Sequence, residues 1–530
     1  MNNSDLIARA FDEAGIRWVF GVPSGPVLPL IEALRRSAVQ FVLTASETSA
    51  GFMASAVGYL TGIPGVCVST VGPGATNLTT GVGCAWLDRL PLLALTCNVS
   101  SAWLERRIQM RIDHHELFKP LSKASLSLRA DSVAPSIERA LALARQEPPG
   151  PVHLDLPEDV ALAGAVESSK AEPSRAVLPD RSSEIVKIVE DSLRVSRRPL
   201  LITGLGFTRS RAAHELLSFI ERQGIPFATT MHAKGFLPES HRNAVGVIGR
   251  ARRTDVKRFI DRADLIIAVG YDPIEINYEE WLGNRPILHL STEAAESNDL
   301  RWVWNQPCDL DAAIDALNRV ERVANQWTVA EIEEHRRKLD CALRPPGEGF
   351  AAYHVLDILR NRLPGDGILS YDVGAHTHQI ATQWRTDLPY TLLATNGWSS
   401  MGYGMPAAYA AKLVQPQRLV IAVVGDGCFQ MTAGELSLAR RENLPVPVVV
   451  LNDGWLGLMK VKQERRNYPL SGVYLGAPPK SPPHYFGVPC RAAKNAEQFE
   501  AALDWAFALH GPSVIEAFID ANAYSATVFD

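Results

Sequence analysis

The stretch RLVIAVVGDG (residues 418–427) joins an apolar run of strand length to an abrupt Gly-Asp-Gly end. Thr432 and Glu435 follow three residues apart, which is the capping-box pattern of a helix start, and we expect that helix to end near Glu442. A second apolar run, VVVL (residues 448–451), comes next. Strand, helix and strand within about 35 residues predict a parallel βαβ unit with a right-handed crossover.

The two strands of this unit would end at the same edge of the sheet, where open α/β sheets bind ligands. Asp426 and Asn452 would therefore emerge side by side. A carboxylate, an amide oxygen and backbone carbonyls form a hard oxygen site that suits Mg²⁺ held with a diphosphate. Gly425 and Gly427 would let the backbone approach phosphate oxygens. Gly-Asp-Gly alone is also an ordinary turn, but here residues 428 to 451 place the asparagine at the end of the very next strand.

Length and composition bound the class of protein. The chain of 530 residues predicts about two to four domains. Its 46% apolar and 21% charged residues are typical of a globular protein with ample core. The net charge of -5 gives no basic footprint for nucleic acid, and we expect neither a membrane span nor a signal peptide. Seven scattered cysteines without a Cys-x-x-Cys pair predict reduced, buried thiols in a cytoplasmic enzyme.

Strands alternate with helices over three blocks, which predicts three α/β domains with doubly wound parallel sheets. We place them at residues 1–166, 184–323 and 349–530, the second being Rossmann-like. A polar linker at 167–183 separates the first two, and a charged helix around 331–338 with the break at 345–347 marks the second linker. The predicted strands in the first two blocks are 18–20, 41–44, 66–69, 92–95, 152–155, 199–203, 264–270 and 286–290.

Glu47 follows one of these strands and opens a helical segment. An acidic residue in a first helical turn is favoured by the helix macrodipole alone. Its context, ASETSAGFMA (residues 45–54), nevertheless resembles the glutamate motif of thiamine diphosphate-dependent enzymes, and the spacing from Gly427 to Asn452 resembles the diphosphate signature of the same family. The resemblance implies that Glu47 contacts N1′ of the aminopyrimidine and drives the proton transfer that activates the cofactor. Ser46 stands where the family often has His.

Further segments resemble this family along nearly the whole chain: FGVPSG (20–25), VGPGATN (71–77), GPVHLDLP (150–157), DVGAH (372–376) and SSMGYG (399–404). In the family the methionine of the last segment wedges beneath the bent cofactor, although a methionine between glycines is also ordinary core filler. The resemblance implies that the cofactor is bound by Glu47, Gly72, Asn77, Gly374, His376, Ser399, Met401, Gly425, Asp426, Gly427, Cys428, Asn452, Gly454, Trp455, Leu456 and Gly457. It implies Mg²⁺ ligation by Asp426, Asn452 and the carbonyl of Gly454.

Within this family the chain resembles acetolactate synthases and their relatives. GYDPIE (270–275) is similar to the middle domain of the FAD-free catabolic enzymes, and VGVIGR (245–250) lacks the Gly-Met-His-Gly of the FAD-containing ones, so we expect no flavin. Four residues depart from the acetolactate synthase pattern: Met110 and Ala375 replace Gln, Cys428 replaces Ser, and Lys462 replaces a substrate-facing Trp.

His114 and His115 form an adjacent pair in DHHE (113–116). The pair resembles the adjacent histidines of pyruvate decarboxylase-like enzymes, which relay protons. Histidine titrates near neutrality, so both are candidate catalytic residues. The alternative is a surface turn without a role.

The resemblance implies a thiamine diphosphate- and Mg²⁺-dependent enzyme that decarboxylates a 2-oxo acid and then ligates the remainder to a second carbonyl. A non-ligating decarboxylase or C–C lyase is the first alternative, with residues 456–474 shaping the pocket. A catalytically silent regulatory paralogue is the second, and the intact Glu47, Asp426 and Asn452 argue against it. In the family the active site lies between two subunits, so we expect a homodimer or homotetramer acting on a small molecule.

Overall fold

Three α/β domains follow one another in the computed structural model, which describes residues 1–166, 178–276, 281–296, 300–347, 349–476 and 480–528. Each domain contains one sheet of six or seven strands, and almost all strand pairs are parallel. The predicted fold class is confirmed. The predicted linker at 167–183 lies mostly outside the described residues, and the domain boundaries stay predictions.

The first sheet has the order β2-β1-β3-β4-β6-β5, with every pair parallel. Its strands are β1 (Trp18–Gly21), β2 (Gln40–Leu43), β3 (Gly65–Ser69), β4 (Leu92–Asn98), β5 (Ala124–Ser127) and β6 (Pro151–Pro157). Its helices are α1 (Asn3–Glu13), α2 (Leu28–Arg35), α3 (Glu47–Thr61), α4 (Pro73–Leu87), α5 (His114–Phe118), α6 (Val133–Arg145) and α7 (Glu158–Leu162). Consecutive residues of one strand enter different cores: Val19 packs into one and Phe20 into the other. The sheet is thus covered on both faces, as its near-continuous apolar strands require.

The second sheet has the order β12-β11-β10-β7-β8-β9. Its strands are β7 (Pro199–Thr203), β8 (Phe227–Thr229), β9 (Ala244–Val247), β10 (Leu265–Val269), β11 (Ile287–Ser291) and β12 (Trp302–Pro307), and its helices are α8 (Ser182–Val195), α9 (Ala213–Gln223), α10 (Arg253–Ile260), α11 (Leu310–Leu317) and α12 (Val329–Ala342). We expected the charged helix now seen as α12 to mark a linker, and that is wrong. Ile332 and Leu339 are buried in the core of the second domain, so this helix is one of its layers.

The third sheet has the order β14-β13-β15-β16-β19-β18-β17. Its strands are β13 (Ile368–Tyr371), β14 (Leu392–Leu393), β15 (Val420–Gly425), β16 (Pro447–Asn452), β17 (His484–Tyr485), β18 (Val488–Ala493) and β19 (Ser513–Phe518). Its helices are α13 (Ala352–Arg362), α14 (Ala375–Gln383), α15 (Gly404–Val414), α16 (Asp426–Thr432), α17 (Leu436–Arg441), α18 (Gly457–Arg465) and α19 (Ala496–Ala508). The edge pair β17–β18 is antiparallel, which the prediction of a wholly parallel sheet did not include.

The predicted βαβ unit is present, because β15 and β16 are parallel neighbours joined by helices. The predicted capping box is wrong. Helix α16 begins directly at Asp426, and the hydroxyl of Thr432 donates to the carbonyl of Cys428 inside that helix. Both carboxylate oxygens of Glu435 instead accept the amide of Ala45, at 3.0 and 3.1 Å. The side chain of Glu435 therefore bonds the first domain and does not cap a helix, contrary to what the local pattern had predicted.

The first and third domains of the chain share a hydrophobic core. Helix α3 packs against α15, and the rings of Phe52 and Tyr403 meet edge to face with centroids 5.6 Å apart. Five of the seven cysteines are buried, but Cys341 is exposed and Cys490 half-buried, so the expectation of buried thiols is wrong for these two. Within the described ranges, no helix is both long and apolar enough to cross a membrane.

Candidate active site

The carboxyl ends of β15 and β16 bring the predicted metal ligands to one edge of the third sheet. Asp426 is only 7% exposed. Its Oδ1 accepts the amide of Gly427 at 2.9 Å, and its Oδ2 accepts the amide of Gly454 at 2.8 Å. Gly454 has a φ of +75°, which glycine adopts freely and which turns the chain back towards Asp426. Asn452, the last residue of β16, is half-buried beside this turn.

The electrostatics of this edge suit a divalent cation. Burial raises the pKa of Asp426 to about 6, and burial together with the neighbouring Asp426 charge raises the pKa of Asp453 to about 7. Two desolvated carboxyls side by side repel one another, and a divalent cation would relieve that repulsion. No group of three or more His, Cys, Asp or Glu side chains among the described residues could hold a metal. An ion here would complete its shell with Asn452, a backbone carbonyl and phosphate oxygens.

His376 marks a place for a phosphate oxygen next to Asp426. Its ring is buried between Gly374 and Gly425, and a Cβ on those glycines would lie 2.8 and 3.1 Å from its Cε1. Burial lowers the pKa of His376 to about 4, and its Nε2 has no hydrogen-bond partner. A buried polar atom without a partner is uncommon, and an oxygen of a bound diphosphate would satisfy it. The residues present at this edge therefore fit the diphosphate and its metal.

Asp372 holds the segment 399–404, which is predicted to support the cofactor rings. The sequence indicated this aspartate only as part of the turn 372–376. Asp372 is fully buried at the end of β13. Its Oδ1 accepts the amide of Gly402 at 2.8 Å, and its Oδ2 accepts that of Gly404 at 3.0 Å. Ser399 begins the turn with a φ of +50°, an uncommon conformation for a residue with a side chain. The only sequence feature that could have predicted these contacts is an aspartate directly after a buried strand.

Met401 and Leu456 approach the glycine that follows Asp426. A Cβ on Gly427 would lie 3.2 Å from Cε of Met401 and 2.9 Å from Cδ2 of Leu456, so only glycine leaves this space open. The rings of Trp455 and Tyr474 contact each other at an interplanar angle of 51°, with centroids 4.7 Å apart.

Two further predicted cofactor residues flank this space. The thiol of Cys428 donates to the carbonyl of Val373 at 3.1 Å. Gly457 opens α18 and faces the start of α14, since a Cβ on it would lie 3.5 Å from Cβ of Ala375.

Glu47 lies at the start of α3, behind the capping side chain of Ser46. It is 8% exposed. Its Oε2 accepts the side-chain amide of Asn77 at 3.2 Å, and the hydroxyl of Thr48 donates to the carbonyl of Asn77 at 2.7 Å. A Cβ on Gly74 would come within 3.1 Å of Oε1 of Glu47. The N-terminal end of α4 therefore fixes the carboxyl of Glu47.

The two adjacent histidines have different surroundings. His114 is 2% exposed, so the surface-turn alternative is wrong for this residue. Its Nε2 accepts the amide of Gly72 at 3.2 Å, and its Nδ1 lies 2.8 Å from Oδ1 of Asp155. His115 is half-buried between the hydroxyls of Ser125 and Ser127. A proton-relay role for the pair stays a prediction.

Two of the residues that depart from the acetolactate synthase pattern, Lys462 and Met110, lie at or near the surface. Lys462 is exposed on α18. Met110 is 44% exposed with a φ of +64°, and its carbonyl oxygen occupies the space that a Cβ on Gly72 would need.

The structure thus groups the predicted residues in two sets. One set at the third sheet contains Gly374, His376, Ser399, Met401, Gly425, Asp426, Gly427, Cys428, Asn452, Gly454, Trp455, Leu456 and Gly457, and the other, in the first domain, contains Glu47, Gly72, Asn77 and His114.

Comparison with known proteins decides the family. Three family models match the chain in order: the N-terminal TPP binding domain of thiamine pyrophosphate enzymes at residues 1–117, their central domain at 186–316 and their C-terminal TPP binding domain at 372–517. The acetolactate synthase large subunit of Lactococcus lactis is 30% identical over 476 residues, which cover 87% of this chain and 82% of that protein. The chain belongs to the thiamine pyrophosphate enzyme family.

Two further acetolactate synthase large subunits are similar to this chain. The acetolactate synthase large subunit of Corynebacterium glutamicum is 31% identical over 87% of this chain and 76% of that protein. The acetolactate synthase isozyme 1 large subunit of Escherichia coli is 28% identical over 98% of this chain and 94% of that protein. The predicted family resemblance is confirmed, and the chain is an acetolactate synthase-like enzyme dependent on thiamine diphosphate, the other name of thiamine pyrophosphate.

Proposed function

We propose that this enzyme needs Mg²⁺ with its thiamine diphosphate, decarboxylates a 2-oxo acid and joins the remaining acyl unit to a second carbonyl compound. The observation that carries the proposal is the intact Glu47, buried at the start of α3 with its carboxyl fixed by Asn77, in a chain similar to acetolactate synthases over most of its length. A silent regulatory paralogue would have no need of that carboxyl.

Each end of the cofactor would meet its own set of residues. When bound, the cofactor supplies a carbon nucleophile for the 2-oxo acid carbonyl and accepts the electron pair left by departing CO₂. Asp426, Asn452 and the carbonyl of Gly454 would hold the Mg²⁺. His376 would meet the diphosphate, while Glu47 would hold and move the proton at N1′ of the pyrimidine.

The product decides between ligation and simple decarboxylation. The purified protein would be loaded with thiamine diphosphate and Mg²⁺ and incubated with a panel of 2-oxo acids, with and without aldehydes. Release of CO₂ with a new carbon–carbon bond in the product supports the carboligase, whereas release of CO₂ with stoichiometric aldehyde supports the decarboxylase or lyase. The Glu47→Gln variant, loaded in the same way, is the matched control for background decarboxylation.

The departures at the site favour keeping the decarboxylase or lyase as a second candidate. Met110 offers no polar side-chain group in the position where acetolactate synthases have Gln, and Lys462 places a cation where they have an apolar ring. The same product analysis tests it, since a carboligase should yield little free aldehyde when an acceptor is present.

We further propose that the enzyme works without flavin. The segment 245–250 is engaged in packing: the guanidinium of Arg250 is buried, donates to the carbonyl of Gly249 at 3.1 Å and contacts Asn396 of the third domain. Val245 and Gly246 line a cavity of only about 20 Å³, against roughly 300 Å³ or more for sites of organic ligands. A yellow preparation with flavin absorbance would contradict this.

We also propose that the active sites form between the subunits of a dimer or a dimer of dimers. Exposed apolar side chains next to the diphosphate residues support it, since Met431 on α16 is 65% exposed and Tyr474 lies at the surface beside Trp455. Light scattering that finds an active monomer would overturn this proposal.

A further inference from the structure

A continuous chain of hydrogen bonds crosses the first domain and ends at the turn before α4. Its successive contacts are Ser127 Oγ to His115 Nε2 at 2.7 Å, His115 Nδ1 to Ser125 Oγ at 2.6 Å, Ser125 Oγ to His153 Nδ1 at 2.7 Å, His153 Nε2 to Thr96 Oγ1 at 2.8 Å, Thr96 Oγ1 to Asp155 Oδ1 at 2.7 Å, Asp155 Oδ1 to His114 Nδ1 at 2.8 Å and His114 Nε2 to the amide of Gly72 at 3.2 Å. It contains both candidate histidines and a third one, His153, which is fully buried.

The inner end of the chain fixes the tautomer of His114. The amide of Gly72 can only donate, so Nε2 of His114 accepts and carries no proton. The proton of the neutral ring is then on Nδ1, which donates to Asp155. Burial alone would raise the pKa of Asp155, but hydrogen bonds from His114, Thr96 and Asn98 outweigh it and lower that pKa, so Asp155 is the ionised acceptor of the whole set.

The remaining protons all point the same way. Since Thr96 donates to Asp155, it accepts from Nε2 of His153, and Nδ1 of His153 accepts from Ser125. Ser125 in turn accepts from Nδ1 of His115. Each donor has one acceptor, and the inner end is a backbone amide, which cannot pass a proton on. The geometry is therefore that of a support for the Gly72 turn.

The Gly72 turn is tied to Glu47. Gly72 has a φ of +66° and packs against the carbonyl oxygen of Met110, so it has little room to move. Its own carbonyl accepts the amide of Thr76 at 2.9 Å inside the first turn of α4. Gly74 lies in this turn, where a Cβ would come within 3.1 Å of Oε1 of Glu47, and Asn77 begins the next turn and donates to Oε2 of Glu47.

We propose that His114, oriented by Asp155, is the positioning residue for Glu47: by holding the amide of Gly72 it fixes the first turn of α4 and with it Asn77, which orients the Glu47 carboxyl. The inference rests on the proposed function only where it concerns the action of Glu47 on thiamine diphosphate. The support of the Gly72 turn itself is a property of the protein without cofactor.

Two near-isosteric substitutions separate the contacts of His114. In His114→Gln the side-chain oxygen can reach the position of Nε2 and accept the amide of Gly72. In His114→Asn the side-chain amide can donate to Asp155 but is too short to reach Gly72. Ser127→Ala, at the exposed outer end of the chain, is the control for general loosening of the network.

The first measurement uses the protein without cofactor. Amide hydrogen exchange by mass spectrometry, on peptides covering residues 70–78, should be about tenfold faster in His114→Asn, since one net hydrogen bond is lost. It should stay near the wild-type rate in His114→Gln and Ser127→Ala. Wild-type exchange in folded His114→Asn would overturn the proposal, as would equal acceleration in both His114 variants.

The second measurement asks whether His114 acts through Glu47. The rate of hydrogen–deuterium exchange at C2 of thiamine diphosphate, bound with Mg²⁺, should fall at least about tenfold in His114→Asn and recover in His114→Gln. The double variant His114→Asn, Glu47→Gln should be no slower than Glu47→Gln alone, because the two residues act in series. Additive losses would overturn the proposal. A wild-type protein without C2 exchange would instead refute the proposed function, and the first measurement would still decide the support of the turn.

Discussion

Asp372→Asn tests whether the third sheet holds the 399–404 turn in place for the cofactor. The carboxylate accepts the amides of Gly402 and Val373 on Oδ1, both at 2.8 Å, and that of Gly404 on Oδ2 at 3.0 Å. Asparagine has the same shape but one oxygen and one NH₂ group. In the variant, one end of the side chain therefore places a donor against a donor, and an amide of the turn is left without an acceptor.

Two opposing effects determine how much the free energy of unfolding changes in Asp372→Asn. One hydrogen bond to a charged group is lost, which costs roughly 1.5–3 kcal/mol. Burial raises the pKa of Asp372, so the neutral asparagine also removes the cost of a buried charge. We expect the free energy of unfolding to fall by only about 1–2 kcal/mol. The local effect is larger, because the turn that carries Met401 loses an anchor, and we expect affinity for thiamine diphosphate to fall about 10- to 100-fold.

Calorimetric titration of the cofactor-free protein with thiamine diphosphate in excess Mg²⁺ measures the affinity, and denaturant unfolding measures the stability. Asp366→Asn makes the same substitution at an exposed position two residues before β13 and should change neither quantity. If Asp372→Asn binds the cofactor as tightly as wild type, then Asp372 does not hold the turn for the cofactor, whatever its effect on stability.

Three further outcomes are expected. Asp426→Ala should remain folded by circular dichroism but lose at least about 100-fold in calorimetric affinity for the Mg²⁺ complex of thiamine diphosphate, and unchanged affinity would remove Asp426 from the metal site. Glu47→Gln should keep cofactor affinity within about threefold yet lose at least about 100-fold in C2 exchange; wild-type exchange would leave Glu47 as a helix-start residue only. Burial lowers the pKa of His153 to about 3, so below about pH 6.5 the unfolded chain binds a proton that the folded chain does not. The free energy of unfolding therefore decreases as the pH is lowered, by up to about 1.4 kcal/mol per pH unit. Chemical unfolding at pH 5 and 7 should show a smaller fall in His153→Leu, and an equal fall would contradict this.

Apolar runs predicted the central strands well, because those strands are buried on both faces and every residue is selected for a core. In the first two domains, the strands that the sequence did not indicate lie at edges or are short. β5 has the sequence ASLS and is half-buried to exposed, and β8 has only three residues. β12 is half-buried to exposed, and polar Asn305 and Gln306 follow its two tryptophans. Such strands are defined by the neighbour they pair with, and no local pattern encodes that neighbour.

Helix ends were less predictable where a distant contact competed for the capping side chain. Thr328 and Glu331 form a true capping box at the start of α12, in which Oε2 of Glu331 accepts the amide and the hydroxyl of Thr328. Thr432 and Glu435 have the same spacing, yet Glu435 is buried against Ala45 of the first domain. The difference is tertiary. Arg198 and Arg262 bond one carboxylate oxygen of Glu331 and leave the other to its own helix, whereas both oxygens of the buried Glu435 accept the amide of Ala45.

The region around Asp426 and the region around Glu47 also differ in how far the sequence could predict them. At the proposed metal site, backbone amides bond the carboxylate of Asp426, and the amides of Gly402 and Gly404 bond Asp372. Backbone geometry of this kind is visible in the sequence as glycines at fixed spacing. Around Glu47, orientation comes from side chains far apart in the chain: Asn77 first, and behind it His114 with Asp155. Such partners have no characteristic spacing, so the sequence pointed to His114 through its neighbour His115 and suggested proton transfer. The hydrogen-bond directions support the positioning role proposed above, since Nε2 of the ring accepts a backbone amide and the single ring proton, on Nδ1, is donated to Asp155.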